Sequence, residues 1–244
     1  MTAPSIILLA ADTGTSINTV AVCEGAPGLQ PDMRILAETV VECKRLHSER
    51  LIETVQWTLK EACITLSDVN ALAIAVGPGS FTGLRIGAAT WKGLAYAQNL
   101  PLAAVPSLDA MTRLSAFYDA TVCPMLDARM QEVYGAVYRF RAGQREKITP
   151  DRVCPVEELM REVTGPVHVL GDGAVAYADR IRACASKAIF VAGPCAVPRA
   201  SAVAEEAFHL LALGVSTDPE RVAPDYVRPS QAEINRAMRA QPSS

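Results

Sequence analysis

One change of hydrophobic period constrains this chain more than any other feature. Up to residue 42 the pattern is that of strands. Ser5 to Ala11 is apolar enough for a buried strand, Thr19 to Glu24 follows across the turn DTGTS, and Arg34 to Glu42 follows across the loop GAPGLQPD. From His47 to Leu66 the apolar residues Ile52, Val55, Leu59, Ala62 and Leu66 fall three and four apart, with Glu49, Glu53, Lys60 and Glu61 elsewhere, which predicts an amphipathic helix. A strand at Ala71 to Val76, a helix at Thr82 to Gln98, a strand at Leu102 to Val105 and a helix at Ser107 to Phe117 then form consecutive βα units. The first half reads βββαβαβα.

The second half is a weaker echo. Strands are predicted at Val122 to Leu126, Glu132 to Phe140, Val167 to Leu170 and Ala188 to Val191, and helices at Val156 to Val163, Ala174 to Cys184 and Ala200 to Leu213. Beyond Val215 the chain is Pro-rich and polar and reads as a tail. Two α/β lobes of this order suggest the two-lobed actin-like ATPase (ribonuclease-H-like) fold, in which nucleotide sits between the lobes. With 50% hydrophobic residues the chain has enough to fill such a core. Lys and Arg number 23 against 26 Asp and Glu, so the basic footprint of a protein that grips nucleic acid unaided is missing. Any such role needs a basic partner. No apolar run reaches the roughly 18 residues that span a bilayer, and the start lacks a basic segment ahead of its apolar stretch, which points away from membranes and to the cytoplasm. The seven cysteines are odd in number, scattered and without a CxxC pair, as expected of buried thiols.

The segment VGPGSFTGLRIG, Val76 to Gly87, is the densest glycine cluster. It lacks the Lys-Ser/Thr of a Walker loop and the third glycine of a dinucleotide fingerprint. What remains is a tight turn through Gly77 and Gly79 into a helix that Ser80 or Thr82 caps, either a plain connector or a backbone anion site. The helix itself is poor in bulk, with Gly83, Gly87, Ala88, Ala89 and Gly93. Gly83 and Gly87, one turn apart, let another backbone come close, from its own lobe or from a partner.

Asp12, Thr13, Thr15 and Ser16 have the residue types of a phosphate and magnesium hairpin, and equally of a self-braced turn. The matching stretch of the second half, Leu126 to Met130, carries bulk where backbone must approach phosphate, so ATP hydrolysis by this chain alone is not expected. Asp127 and Arg129 read as an ordinary ion pair at a strand end or as a substrate-facing pair, and Tyr134 and Tyr138 as core or lobe-interface packing rather than a base-stacking platform. His47, His168 and His209 lie in different elements and form no ligand pair.

LAADTGTS, HSERLIETV, GPGSFTGLRIG, PSLDAM, DARMQEVYGAVY and PDYVRP, in this order and spacing, resemble the TsaB family. The resemblance implies an actin-like fold with a reduced second lobe: residues 1–106 as the first lobe, 107–199 as the second, the 200–213 helix folding back on the first, and 215–244 as the tail. It implies a non-catalytic subunit that pairs with the transferase TsaD and with the ATPase TsaE, and with itself when alone, in placing threonylcarbamoyladenosine beside the anticodon of tRNAs that read codons starting with A. Contact with tRNA comes only through the complex, and ATP or ADP and metal sit on the partners. In the register of TsaD, Ser107 and Met111 stand where an HxxxH metal pair stands there, so no metal site is expected. The implied partner face takes the first two helices: Leu46, Leu51 and Ile86 for apolar contact, Gly83, Gly87 and Ala89 for close approach, Arg85 as a polar rim, with His47 and Thr90 beside them. The alternative is an ATP-dependent phosphotransferase acting through Asp12.

Overall fold

In the computed structural model, which describes residues 4–43, 47–191, 193 and 197–228, the strand-rich opening forms one half of a five-stranded sheet. β1 (Ile6–Asp12), β2 (Ile17–Gly25) and β3 (Met33–Glu42) are antiparallel, while β4 (Ala71–Gly77) and β5 (Leu102–Pro106) add in parallel, giving the order β3-β2-β1-β4-β5. Both faces of the central strands are covered, which is why β1 as far as Ala11 and all of β4 are apolar instead of alternating. Leu9, Val20, Val22, Leu72 and Ile74 point to α1 (His47–Glu61) and α2 (Phe81–Gln98), where they meet Leu51, Val55 and Trp91. Each helix stops at a left-handed residue, Cys63 at φ 56° and Asn99 at φ 52°. The next amides, of Ile64 and Leu100, reach back to the Leu59 and Ala95 carbonyls and satisfy the helix end.

The buried face of α1 is rotated from the one predicted. Leu51 is fully buried in the core, whereas Ile52 is 43% exposed. Thr54 and Thr58 complete the inward face, because their hydroxyls donate to the Arg50 and Thr54 carbonyls (2.7 Å each) and so enter the core satisfied.

The second lobe begins with α3 (Ser107–Met111), which ends well before Phe117. Its sheet runs β10-β7-β6-β11-β12, with β8 on β6 and β9 on β8. The strands are β6 (Ala120–Asp127), β7 (Val133–Gly135), β8 (Tyr138–Arg141), β9 (Gln144–Lys147), β10 (Arg152–Cys154), β11 (Val167–Leu170) and β12 (Ala188–Phe190). Between them lie α4 (Val156–Arg161), α5 (Asp172–Ala176) and α6 (Ala178–Cys184). The single strand predicted over 132–140 is thus two strands pairing different parts of β6, and the helix predicted over 174–184 breaks at Tyr177.

α7 (Ala200–Ala212) returns to the first lobe and fills its other face, Val203, Ala204, Ala207 and Phe208 packing on Leu8, Ala10, Ala21, Ala73 and Val105. Glu206, on the same helix, is fully buried at the lobe junction. It accepts from Arg113 Nε (2.7 Å) and from Arg145 Nη2 (2.5 Å) and Nη1 (2.9 Å).

The segment read as a tail is packed over its described part. The Leu102 amide donates to the Thr217 carbonyl (2.8 Å), Val222 is buried in the first-lobe core, and the Asp225 amide donates to the Val76 carbonyl (2.7 Å). Its polar, Pro-rich composition reflects a strap that uses main-chain bonds, not an absence of structure.

Candidate functional site at the lobe junction

The turn after β1 and the glycine turn before α2 are built against each other. Asp12 Oδ1 accepts the Gly14 amide (2.7 Å), Thr13 donates its hydroxyl to the Gly83 carbonyl (2.8 Å), and Thr15 accepts the Ile17 amide (3.2 Å). Ser16 is exposed on the rim. The Ser80 amide donates to the Gly14 carbonyl (2.6 Å), and the Ser80 hydroxyl caps α2 by accepting the Gly83 amide (3.4 Å). A Cβ on Gly79 would lie 2.6 Å from the Gly14 carbonyl oxygen, and one on Gly77, at φ +119°, 2.6 Å from that of Asp225. These glycines admit the chain's own backbone.

The same holds for Gly83 and Gly87, which corrects their assignment to a partner face. Both are buried against Thr13: a Cβ on Gly83 would strike the Thr13 carbonyl oxygen, and one on Gly87 the Thr13 hydroxyl. Leu51 likewise belongs to the core and not to a surface, Ile86 is half-buried against that core, and Leu46 lies outside the described residues. His47 opens α1. The outward stripe of α2 is Thr82, Arg85, Ala89, Gly93 and Tyr96, with Thr90 half-buried at its flank. Gly93 has no described atom within 4 Å of where its Cβ would stand. This contrast gives a sharp test. On an open helix face Gly→Ala stabilises by about 1 kcal/mol, so Gly93→Ala should raise the denaturation midpoint, whereas Gly83→Ala should lower stability by about 1–3 kcal/mol through overpacking. Equal effects would contradict the two environments.

Between the lobes lies a cleft of about 350 Å³ lined by Thr15, Ser16, Ser80 and Phe81 on one side and by Asp127, Arg129 and Asp172 on the other. Burial pushes the Asp12 carboxyl up to about 6, against the Gly14 amide and with help from the Asp172 charge. Burial also raises Asp172, whose Oδ1 accepts the Asp127 amide (3.0 Å). Asp127 pairs with Arg129 (3.2 Å) and accepts from the Tyr177 hydroxyl (2.9 Å). Tyr134 lines the cleft, while Tyr138 is buried and donates to Asp109 (2.5 Å). Ser107 and Met111 are both buried, Met111 within the second-lobe core. Among the described residues no three His, Cys, Asp or Glu side chains come together as metal ligands. No helix among them is long and apolar enough to cross a membrane. The cleft is thus polar, and of the hairpin's side chains Asp12 and Thr13 are bonded to the protein's own backbone while Thr15 and Ser16 line the cleft.

Sequence reasoning missed the exposed apolar residues of this region: Ile52 and Trp57 on α1 (56% exposed for Trp57) and Tyr96 on α2 (58% exposed). The signal for the last was available, since Tyr96 continues the spacing of Arg85 and Ala89 opposite the Leu84, Ala88, Trp91 and Ala95 stripe.

Two α/β lobes flanking a polar cleft, with the turns after β1 and β6 facing each other across it, define the actin-like, ribonuclease-H-like fold class. The family described as TsaD, tRNA N6-adenosine threonylcarbamoyltransferase, matches residues 35–235. The tRNA threonylcarbamoyladenosine biosynthesis protein TsaB of Bacillus subtilis is 30% identical over 82% of this chain and 87% of its own length. Its Escherichia coli counterpart is 31% identical over 91% and 94%. The structure of YeaZ from Pseudomonas aeruginosa, 28% identical, superposes over 91% of this chain and 99% of that one with a TM-score of 0.71. This chain belongs to the TsaB family of tRNA threonylcarbamoyladenosine biosynthesis.

Proposed function

We propose that this chain is a scaffold subunit, not itself a catalyst, that binds TsaD through the outer face of α1 and α2 and with it recruits TsaE for threonylcarbamoyl transfer to tRNA. The observation that carries the proposal is the open stripe of α2: Ala89 and Gly93 leave its backbone open to a second helix and Tyr96 stands exposed one turn on, with Ile52 and Trp57 exposed on α1. The engagement of Asp12 and Thr13 by the protein's own backbone is consistent with a partner that supplies the nucleotide and metal. In the absence of TsaD the same face pairs two copies of the chain, and tRNA is met through the assembled complex.

The decisive experiment is threonylcarbamoyladenosine formation on tRNA by TsaD and TsaE supplied with threonylcarbamoyl-adenylate, with and without this chain, beside ATP turnover by the chain alone. Activity that needs the chain, with the chain alone inert, is expected. ATP turnover by the isolated chain that Asp12→Ala abolishes would replace the scaffold with an enzyme. The face is tested by Gly93→Arg, which should weaken TsaD binding at least tenfold and shift the free chain toward monomer in sedimentation, without lowering its melting temperature. Unchanged affinity would remove α2 from the interface.

A further inference from the structure

The strap Thr217–Arg228 is bonded to both lobes. On the first, beyond its main-chain bonds to β4 and β5, its Val222 carbonyl accepts from Lys92 Nζ (3.1 Å). Tyr226 stacks on Phe81 with ring centroids 4.6 Å apart, accepts from Arg85 Nε (2.8 Å), and so holds that guanidinium 3.8 Å over the Phe81 ring centroid. On the second lobe Arg228 donates from Nη1 to the Ala128 carbonyl (3.0 Å) and from Nη2 to the Glu132 carboxylate. The strap therefore touches the cleft lining on each side, at Phe81 and at Ala128.

The turn that Arg228 grips is left-handed. Arg129, Met130 and Gln131 stand at φ 63°, 52° and 63°, three successive non-glycine residues in the left-handed region, where Cβ crowds the following carbonyl. Such a run persists only when its surroundings fix it. Asp127 Oδ1 accepts the Arg129 amide (2.9 Å), Arg180 Nη1 donates to the Gln131 carbonyl (3.1 Å), and Arg228 holds the entry. Among the described residues, ion pairs tie the lobes at two places: Arg113 and Arg145 meet Glu206 on α7, where Arg113 also meets Glu205, and Arg228 meets Glu132. Glu206 is wholly buried, and separating it would strand charges inside the protein. The Glu132 side chain is 31% exposed where that of Glu206 is wholly buried, so water can receive the Glu132 carboxylate when the pair parts.

We infer that the strap is a clasp across the mouth of the interlobe cleft, and that the Arg228–Glu132 pair is its releasable latch. Opening it frees the second lobe to move about the buried Glu206 tie while the strap stays on the first lobe. The Arg85 stack on α2 is thereby tied to the set of the lobes.

The full chain carries its own reporters, since Cys63 follows α1 in the first lobe and Cys184 ends α6 in the second, and both are exposed. Buried thiols stay unreactive; burial, for instance, holds Cys23 up at about 12. With Cys195→Ser throughout, spin labels on Cys63 and Cys184 are expected to give one narrow distance distribution. Arg228→Ala should broaden it and move it outward, and Glu132→Gln should do the same from the other lobe, which keeps the test open if the first variant folds poorly. The exchange Arg228→Glu with Glu132→Arg should narrow it again. An unchanged distribution in the folded single variants would overturn the latch, and so would an exchange that fails to restore the parent distances.

Discussion

Replacing Glu206 by alanine should cost this chain about 3–5 kcal/mol of stability, the range for removing one partner of a buried ion pair. The size follows from what is left behind. The Arg113 and Arg145 side chains are only 17% and 15% exposed, and Glu206 accepts from both. Arg145 Nη1 keeps its bonds to the Asp109 carbonyl and the Thr112 hydroxyl (2.9 Å each), so the guanidinium cannot simply swing to water. Arg145 would lose its paired carboxylate, and Arg113 would keep only Glu205, 3.8 Å away. Because Glu206 sits on α7, which fills the first lobe, while Arg145 sits on β9 in the second, the loss should fall on the cooperativity between lobes as well. Urea unfolding followed by fluorescence and circular dichroism would read both: a lower midpoint, and two probes that no longer coincide. Glu24→Ala is the control, since Glu24 pairs with Arg34 at the surface (side chains 39% and 74% exposed) and should change stability by less than about 1 kcal/mol. If Glu206→Ala behaved like Glu24→Ala, the buried triad would not hold the junction together.

How far the fold was legible depends on which force decides each element. β1 and β4 are buried on both faces, so their apolar runs announce a covered sheet, and Ser80 before α2 is a helix start that needs no tertiary help. The face of α1 was harder. Leu51 and Ile52 are adjacent and both apolar, and only the hydroxyls of Thr54 and Thr58, which satisfy themselves on the helix backbone, decide in favour of Leu51. In the second lobe, QREK of β9 and RVC of β10 carry no strand pattern because their partners and not their side chains make them strands. The left-handed run Arg129 to Gln131 has no glycine or asparagine to advertise it, since three neighbouring side chains hold it instead. The candidate interface was misread for a related reason. A glycine in a helix announces close approach but not by whom, and at Gly83 and Gly87 the neighbour is Thr13 of the same lobe, leaving Gly93 as the open one.

Asp12→Asn should make the protein more stable at neutral pH, by up to about 3 kcal/mol if the rise to about 6 carries over in full. Unfolded, the carboxyl has its ordinary value of 3.8; folded, it titrates near 6, chiefly because burial disfavours the charge. Below the unfolded value the group is protonated in both states and costs nothing. As pH rises through that window the unfolded chain releases a proton that the folded chain still holds, and stability falls until, above about 6, the folded state carries a buried carboxylate at full cost. Asparagine never ionises, and its carbonyl still accepts the Gly14 amide, so the turn that braces Ser80 and α2 is kept. Asp151, Asp172 and Glu205 are also raised by burial, so the quantity to measure is the difference between wild type and variant. Their melting temperatures should coincide below the unfolded value of 3.8 and diverge toward pH 7, with the variant higher; a variant that is less stable at pH 7 would mean that the carboxylate has a favourable partner in the folded chain. The same variant bears on chemistry. A scaffold should support threonylcarbamoyl transfer by TsaD with asparagine at position 12 as well as with aspartate, whereas a phosphotransferase working through that carboxylate would lose its turnover. Gained stability with retained complex activity would make Asp12 a brace of the turn; gained stability with lost activity would mean the fold carries a costly charge because a reaction needs it.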